Sequence, residues 1–366
     1  MEGSVMSKGL IFSDLHLHKH KDRCDRLQHC LDVLTWVFDQ AVKNDCDDIF
    51  FLGDLFHERS KIDVLNYLRT FETIMERMLG DCKDKNLWML VGNHDMYHRE
   101  RWDVNSIKPL TAIPNVHIID SPMSTTVGST KIDWMPHTEN PVHELQVFKE
   151  DLGDILFGHL AVHGAQTNTF YGTKSDVIVE YDNEMVEVDA SVFDDWKATF
   201  LGHYHGAQHL NDKVEYVGSP LQLTFGEAFQ QKHIIVLDLE TLDKEYIVND
   251  FSPKHLIISP QDIEHENYDF NGQFLRISVD DMGALELIDL KRKLAKDHKP
   301  LSIDLKEKDK KVSEEKDTSA MEDIHEAIAN IEDMLGKYMK EKDVPDGLDK
   351  DRLLKAGMRC LDKQPG

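Results

Sequence analysis

Five short segments of this chain place Asp, Asn or His directly after an apolar run. They are Ser13-Asp14-Leu15-His16, Gly53-Asp54-Leu55-Phe56-His57, Gly92-Asn93-His94-Asp95, Gly158-His159 and Gly202-His203-Tyr204-His205. Together they offer enough carboxylate, amide and imidazole donors for two metal ions. Two divalent ions about 3.5–4 Å apart can hold both the attacking and the leaving oxygen of a phosphoester displacement. Such a pair needs a carboxylate shared between the ions, further oxygen donors and several neutral imidazoles. Asp54 suits the shared position: it ends a buried run, and the preceding Gly53 lets the backbone turn tightly. Asp14 and His16 stand two apart at a strand end, where both can reach one ion. Asn93 offers a neutral oxygen, and His159, His203 and His205 offer nitrogen. Mixed nitrogen and oxygen donation suits Mn, Fe or Zn better than Ca. Taken alone, an Asp-x-His is usually a surface loop and a single Gly-His means nothing. The inference rests on five such segments, each closing an apolar run.

The elements that position these segments follow from periodicity. Gly9-Leu10-Ile11-Phe12, Ile49-Phe50-Phe51-Leu52 and Leu87 to Val91 read as buried strands. Between them, Leu27, Leu31, Leu34, Phe38 and Ala41 mark one amphipathic helix, and Leu65, Leu68, Phe71, Met75 and Met78 mark a second. The β-α-β-α-β order implies parallel strands with helices packed on the sheet, and sites form where the carboxyl ends of such strands converge. Ile155 to Phe157 and Thr199 to Leu201 are further strands that stop at Gly-His, and Lys213 to Val217, His233 to Leu239 and Glu245 to Val248 look β-rich. The expected fold class is α/β, a β-sandwich core with flanking helices spanning residues 1–255. Residues 256–305 read as a small β-α-β unit, 306–320 as a charged linker, and 321–366 as a helical hairpin carrying Ile324, Ile328, Ile331, Leu335 and Tyr338.

Composition narrows the class. Hydrophobic residues make up 40% of 366, enough for a sizeable core, and no apolar stretch is long enough to cross a bilayer, so no membrane role is expected. The N-terminal residues lack the basic start and apolar centre of a signal peptide, and the 5 cysteines include no CxxC pair. A cytoplasmic location is expected, the host cytoplasm if the source is viral. The net charge of −26 argues against a stand-alone DNA-binding module, because phosphate contacts favour Lys and Arg. It leaves room for a nuclease whose metals face the phosphate or whose partner supplies the basic surface.

The five segments resemble the pattern of the calcineurin-like metallophosphoesterase superfamily. Within it they are most similar to the SbcD-type nuclease subunit of DNA repair, recombination and replication. Gly53 to Glu58, Gly158-His159-Leu160 followed by Thr173-Lys174-Ser175-Asp176, and Val217-Gly218-Ser219-Pro220 carry the narrower resemblance. The serine/threonine phosphatase branch would instead show Asp-Arg-Gly after the second segment. The resemblance implies two divalent metal ions, taken here as Mn2+. One would be held by Asp14, His16, Asp54 and His205; the other would share Asp54 and take Asn93, His159 and His203. It also implies that His94 acts on the phosphate with Asp95 orienting it, and that His57 helps to place the substrate. By position, residues 256–305 would be a capping domain and 321–366 a docking segment for an SbcC-type coiled-coil ATPase. DNA as substrate and a homodimer are further implications.

Two rival readings stand beside this one: a phosphatase or small-molecule phosphodiesterase with the same metal centre, and a catalytically silent scaffold. The capping unit and docking segment weigh against the first, and an intact His94 weighs against the second. Other polar residues receive blander readings. His18 and His20 are exposed or at the substrate's edge, His163 is structural or supports the ligands, and His98, Arg99 and Arg101 either contact a phosphate backbone or form an exposed polar turn. His137 marks a strand end, and Asp45-Asp47-Asp48 and Asp194-Asp195 are solvated loop charges.

Overall fold

A computed structural model describes residues 7–18, 24–168, 173–181, 184–260, 263, 269–279 and 284–307. Strands β1 (Lys8–Phe12), β2 (Asp48–Phe51) and β3 (Asn86–Leu90) run parallel, with Leu10 beside Ile49 and Ile49 beside Leu87. The Val116–Ile119 strand extends this sheet on one side, and the antiparallel pair Lys232–Asp238 and Lys244–Asn249 extends it on the other. A second six-stranded sheet contains the parallel strands Thr130–Met135, Ile155–His159, Ala198–Gly202 and Val214–Tyr216. The α/β sandwich read from periodicity is present.

The two sheets face each other through Ile11, Phe50, Leu52, Trp134, Phe157, Phe200 and Ile235. Phe50 lies with ring centroids 5.8 Å from Trp134 and 4.9 Å from Phe157, and each buried aromatic of this kind contributes roughly 1.5–3 kcal/mol. The outer face of the first sheet is covered by helices α1 (Cys24–Lys43) and α2 (Val64–Leu79). On α1 the expected stripe of Leu27, Leu31, Leu34, Phe38 and Ala41 is buried throughout.

On α2 the expected stripe is corrected. Leu65 and Leu68 are exposed, and the buried positions are Asn66, Thr70, Ile74 and Met78, flanked by Phe71 and Met75. Asn66 faces inward because its Nδ2 donates to the carbonyl of Leu17 at 2.8 Å, the residue after His16. The Thr70 hydroxyl donates to the Asn66 carbonyl at 2.8 Å. Two polar residues thus occupy core positions with their groups satisfied, Asn66 by tying the helix to a loop of the site and Thr70 by bonding back to its own helix.

The expected β-α-β unit is present as Phe274–Val279, a helix over Ala284–Asp297, and Ser302–Glu307, with the strands parallel. The sequence reading missed its third strand, His255–Ile258, which pairs parallel to Phe274–Val279 and moves the start of the unit to 255. The last strand runs to Glu307, so residues 306 and 307 belong to the sheet and not to the charged linker. The rest of that linker and the helices expected over 321–366 lie outside the described residues. Among the described residues, no helix is long and apolar enough to cross a membrane.

Candidate metal centre

The ends of β1 and β2 stay paired beyond their strands. Asp14 N donates to the Gly53 carbonyl at 2.9 Å, His16 N to that of Asp54 at 3.1 Å, and Leu17 N to that of Leu55 at 2.8 Å. The first two segments are therefore two lips of one opening. In the facing sheet, Gly202 sits in register with His159, which brings the fourth and fifth segments to the same end of the sandwich. Asp14, His16, Asp54 and His203 adopt positive φ of 53°, 46°, 63° and 101°. Non-glycine residues held there cost about 1–3 kcal/mol each, and four in one cluster mark strain retained at a site. Gly92 is required by close approach: a Cβ on it would lie 2.5 Å from the Asp54 nitrogen and 2.9 Å from His159 Cε1.

These loops bring together all seven side chains named as ligand candidates. His16 Nε2 lies 3.5 Å from Asp54 Oδ2, 3.9 Å from Asp14 Oδ1 and 3.0 Å from His205 Nε2. On the other side of Asp54, His159 Nε2 lies 3.4 Å from Oδ2 and 3.0 Å from Asn93 Oδ1, which is itself 2.9 Å from His203 Nδ1. Donor atoms bound about 2.1 Å from a common ion stand roughly 3.0–3.4 Å apart. Most of these separations, the 3.9 Å from His16 to Asp14 excepted, lie close to that range, so the groups could hold metal ions, with Asp54 beside both sets.

The electrostatics fit a cationic guest. Burial pushes the Asp14 carboxyl up and lowers the His16 and His203 imidazoles well below their usual value. Burial also opposes charge on Asp54, but the His159 imidazole, with His16 and His94, outweighs it and holds this carboxyl well below the usual range. Burial opposes protonation of His159 in turn, yet Asp54 and Asp14 raise it to about 9. A proton is thus drawn in between the two carboxylates, where a metal ion's charge would serve. The two Nε2 atoms of His16 and His205, facing each other at 3.0 Å, likewise suit a shared cation.

His94 and His57 stand at the mouth. His94 is half-buried, with its ring centroid 4.8 Å from that of His16, and its backbone N–H donates to Asp54 Oδ1 at 2.7 Å. Its Nδ1 meets the His57 carbonyl at 2.5 Å. Because a carbonyl only accepts, Nδ1 carries the proton and Nε2 remains for chemistry. The exposed His57 ring lies 5.6 Å from His94 and 4.8 Å from His18, and burial of its inner edge lowers its pKa.

The expected bond from Asp95 to His94 is corrected, since the His57 carbonyl takes that role. Asp95 is fully buried and accepts backbone N–H groups from Asp54 at 2.8 Å, Gly92 at 3.0 Å and Leu55 at 3.1 Å, with the Ser106 hydroxyl at 3.4 Å. It clamps the Asp54 loop in its strained conformation. Burial and the Asp54 carboxylate raise Asp95 to about 7, against the pull of those N–H groups.

Two residues near the centre escaped the sequence reading, and a third, His137, is marked by the sequence only as a strand end. His137 stacks on His203 with centroids 5.5 Å apart and donates Nδ1–H to the His159 carbonyl at 3.2 Å; burial lowers it to about 4. Its one signal was a position at a strand end. Glu227 and Lys232 back His205, and nothing local in the sequence marks them. His163 is structural as expected, paired with Glu187 at 2.8 Å and Asp176 at 3.4 Å, and His20 lies outside the described residues. Asp48 is not a solvated loop charge: it opens β2, is buried, and accepts from Trp88 Nε1 at 2.8 Å and Asn86 Nδ2 at 3.0 Å.

Beside the centre lies a cleft of about 610 Å³, lined on one side by His16, His18, His57 and His205 and on the other by Arg276, Phe274 and Asp304 of the three-stranded unit. Arg26 and Phe225 also line it, and the Arg276 guanidinium lies 4.2 Å over the Phe225 ring.

Known proteins are similar to this chain in sequence. The chain is 25% identical over 253 residues to "Exonuclease subunit 1" of Enterobacteria phage T4, covering 68% of this chain and 70% of that protein. It is 24% identical over 200 residues to "Putative phosphoesterase 078R" of Invertebrate iridescent virus 3, covering 51% of each. Residues 8–207 match the pattern of the calcineurin-like phosphoesterases. The match spans more than half of the chain and all five segments, so the chain belongs to the calcineurin-like phosphoesterase family, hydrolases of phosphoester bonds that use a dinuclear metal centre.

Proposed function

We propose that the chain is a metal-dependent DNA nuclease, with double-strand exonuclease and single-strand endonuclease activity, acting as the nuclease subunit of an SbcCD-like complex. The observation that carries this reading is the similarity to a phage exonuclease subunit over 253 residues, longer than the matched phosphoesterase segment 8–207. Asp14, His16, Asp54 and His205 would hold one ion, and Asp54, Asn93, His159 and His203 the other, with manganese as the expected metal. When bound, the pair supplies an activated water and Lewis-acid stabilisation of the phosphoryl oxygens. The chain's own part is then orientation and proton transfer. His94, fixed through Nδ1–H, presents Nε2 to the phosphate; only as the doubly protonated imidazolium would it give an Nε2 proton to the departing oxygen, or set its charge beside the transition state. Asp95 holds the loop that carries Asp54, and the exposed His57 lies where the next part of the substrate passes.

The cleft supports a nucleic-acid substrate. Arg26 and Arg276 bring guanidinium groups to it, Arg276 paired with Asp304 at 2.8 Å. Each lies over an aromatic ring, Arg26 over Phe274 and Arg276 over Phe225, a mixture of the side-chain types that single strands meet in such grooves. A homodimer finds support in the solvent-facing Val64, Leu65 and Leu68 of α2, an apolar run with no covering element in the described chain. The segment 321–366 would dock on an SbcC-type ATPase.

The test is cleavage of end-labelled linear duplex and of single-stranded circular DNA with manganese, alone and with a candidate ATPase. Asn93→Ala and His94→Ala serve as controls. His94→Ala should lose roughly 10²–10⁴ in rate with metal content retained. Turnover of small phosphoesters that both variants lose, with no cutting of DNA, would move the substrate to the phosphatase reading.

A further inference from the structure

Behind His205 lies a buried ion pair that the reaction does not itself require. Glu227 and Lys232 are each 5% exposed, and Lys232 Nζ stands 2.7 Å from Glu227 Oε2. A buried Lys–Glu pair is at best neutral for stability compared with apolar residues of the same volume, so its presence calls for another reason. The pair grips His205 at both ends. Glu227 Oε1 lies 3.2 Å from Nδ1 of the imidazole, and Lys232 Nζ donates to the His205 carbonyl at 2.8 Å. The remaining valences are satisfied: Glu227 Oε2 accepts from Leu223 N at 3.1 Å and the Ser219 hydroxyl at 3.2 Å, and Lys232 has a third acceptor in Gln230 Oε1 at 2.9 Å.

Geometry sets the tautomer. An ionised carboxylate has no proton to give, so Nδ1 of His205 must be the donor and Nε2 carries the lone pair. Nε2 is the atom that faces His16 Nε2 at 3.0 Å. Lys232, paired with Glu227 Oε2, fixes the carboxylate that holds the ring. We propose that Glu227 and Lys232 are positioning residues that fix the orientation and tautomer of His205, and thereby set the affinity of the metal position formed by Asp14, His16 and His205. This rests on the dinuclear reading above. A carboxylate–histidine–metal relay of this type typically sustains 10–100-fold in metal affinity.

The experiment is titration of the full chain with manganese chloride, following stoichiometry by calorimetry and the metal environment by electron paramagnetic resonance. The parent should bind two ions and give an exchange-coupled signal. Glu227→Ala should weaken one of the two positions by roughly 10–100-fold, so that at two equivalents the coupled signal gives way to the six-line spectrum of isolated manganese. Glu227→Gln keeps an acceptor oxygen for Nδ1–H and should lose less than Glu227→Ala; it also serves if the alanine variant does not fold. Lys232→Met should weaken the same position and leave the other unchanged. Unchanged affinities and a coupled signal in Glu227→Ala, or in Glu227→Gln where only that variant folds, overturn the proposal. So does equal weakening of both positions, which is what a merely structural role produces. A parent that binds no pair of ions refutes the dinuclear reading beneath it.

Discussion

Replacing Asp95 separates the two roles considered for it. In the structure its carboxylate accepts three buried backbone N–H groups, from Asp54, Gly92 and Leu55, at 2.8 to 3.1 Å. Asp95→Ala strands all three. Each buried donor left without an acceptor costs about 1–3 kcal/mol, so the substitution should cost on the order of 3–9 kcal/mol, a large part of a typical domain's 5–15. Asp95→Asn can turn its one oxygen toward Asp54 and Gly92, leaving Leu55 facing an amide nitrogen, and should cost only about 1–3 kcal/mol. The assay is urea and thermal unfolding of the chain in EDTA, so that metal binding contributes nothing. At about 2–4 °C per kcal/mol, Asp95→Ala should melt at least ~6 °C below the parent, with Asp95→Asn between them. Had Asp95 only oriented the His94 ring, both variants would lose rate at undiminished stability. An alanine variant within about 1 kcal/mol of the parent would refute the clamp.

One further substitution and one chemical probe address the scaffold. Asn66→Leu, which completes an apolar stripe on α2, should destabilise the chain by about 1 kcal/mol in urea, because the bond to the Leu17 carbonyl is lost; a stabilised variant would show that the bond does not matter. Cys30, Cys46 and Cys82 are fully buried, and burial raises the thiols of Cys46 and Cys82 to about 11. At pH 8 only about one such thiol in a thousand is ionised, so a disulfide reagent should label these three cysteines no faster than the chain unfolds. Rapid labelling of all 5 cysteines in the native protein would contradict that burial.

The donor set was legible because it consists of residue types at strand ends, and both features are local. Buried strands show as apolar runs, and a parallel order of elements sends their carboxyl ends to one edge. The α1 stripe was legible for the same reason: Leu27, Leu31, Leu34, Phe38 and Ala41 repeat at helical spacing and nothing competes for that face. On α2 the periodicity placed Phe71, Met75 and Met78 correctly but set the outward side of the first two turns, at Leu65 and Leu68, facing in. Asn66 and Thr70 look solvent-directed in sequence, yet Asn66 has a partner 49 positions away that makes its burial favourable. Asp95 misled through adjacency. It follows His94 in the chain, but the turn at Gly92 to Asp95 sends its carboxylate toward backbone 40 and 41 residues earlier.

What the sequence by itself determined is therefore the chemistry on offer and the end of the sandwich where it gathers: two carboxylates, an amide and imidazoles at the ends of buried strands. Only the tertiary structure decided which atoms face one another. It put Nδ1 of His203 and Nε2 of His159 on the Asn93 oxygen, and it closed the chain over 22 residues to set Glu227 behind His205. Residue type and periodicity travel along the chain. Hydrogen-bond partnership between distant segments depends on how the two sheets pack, and a buried polar group takes whichever partner that packing brings within reach.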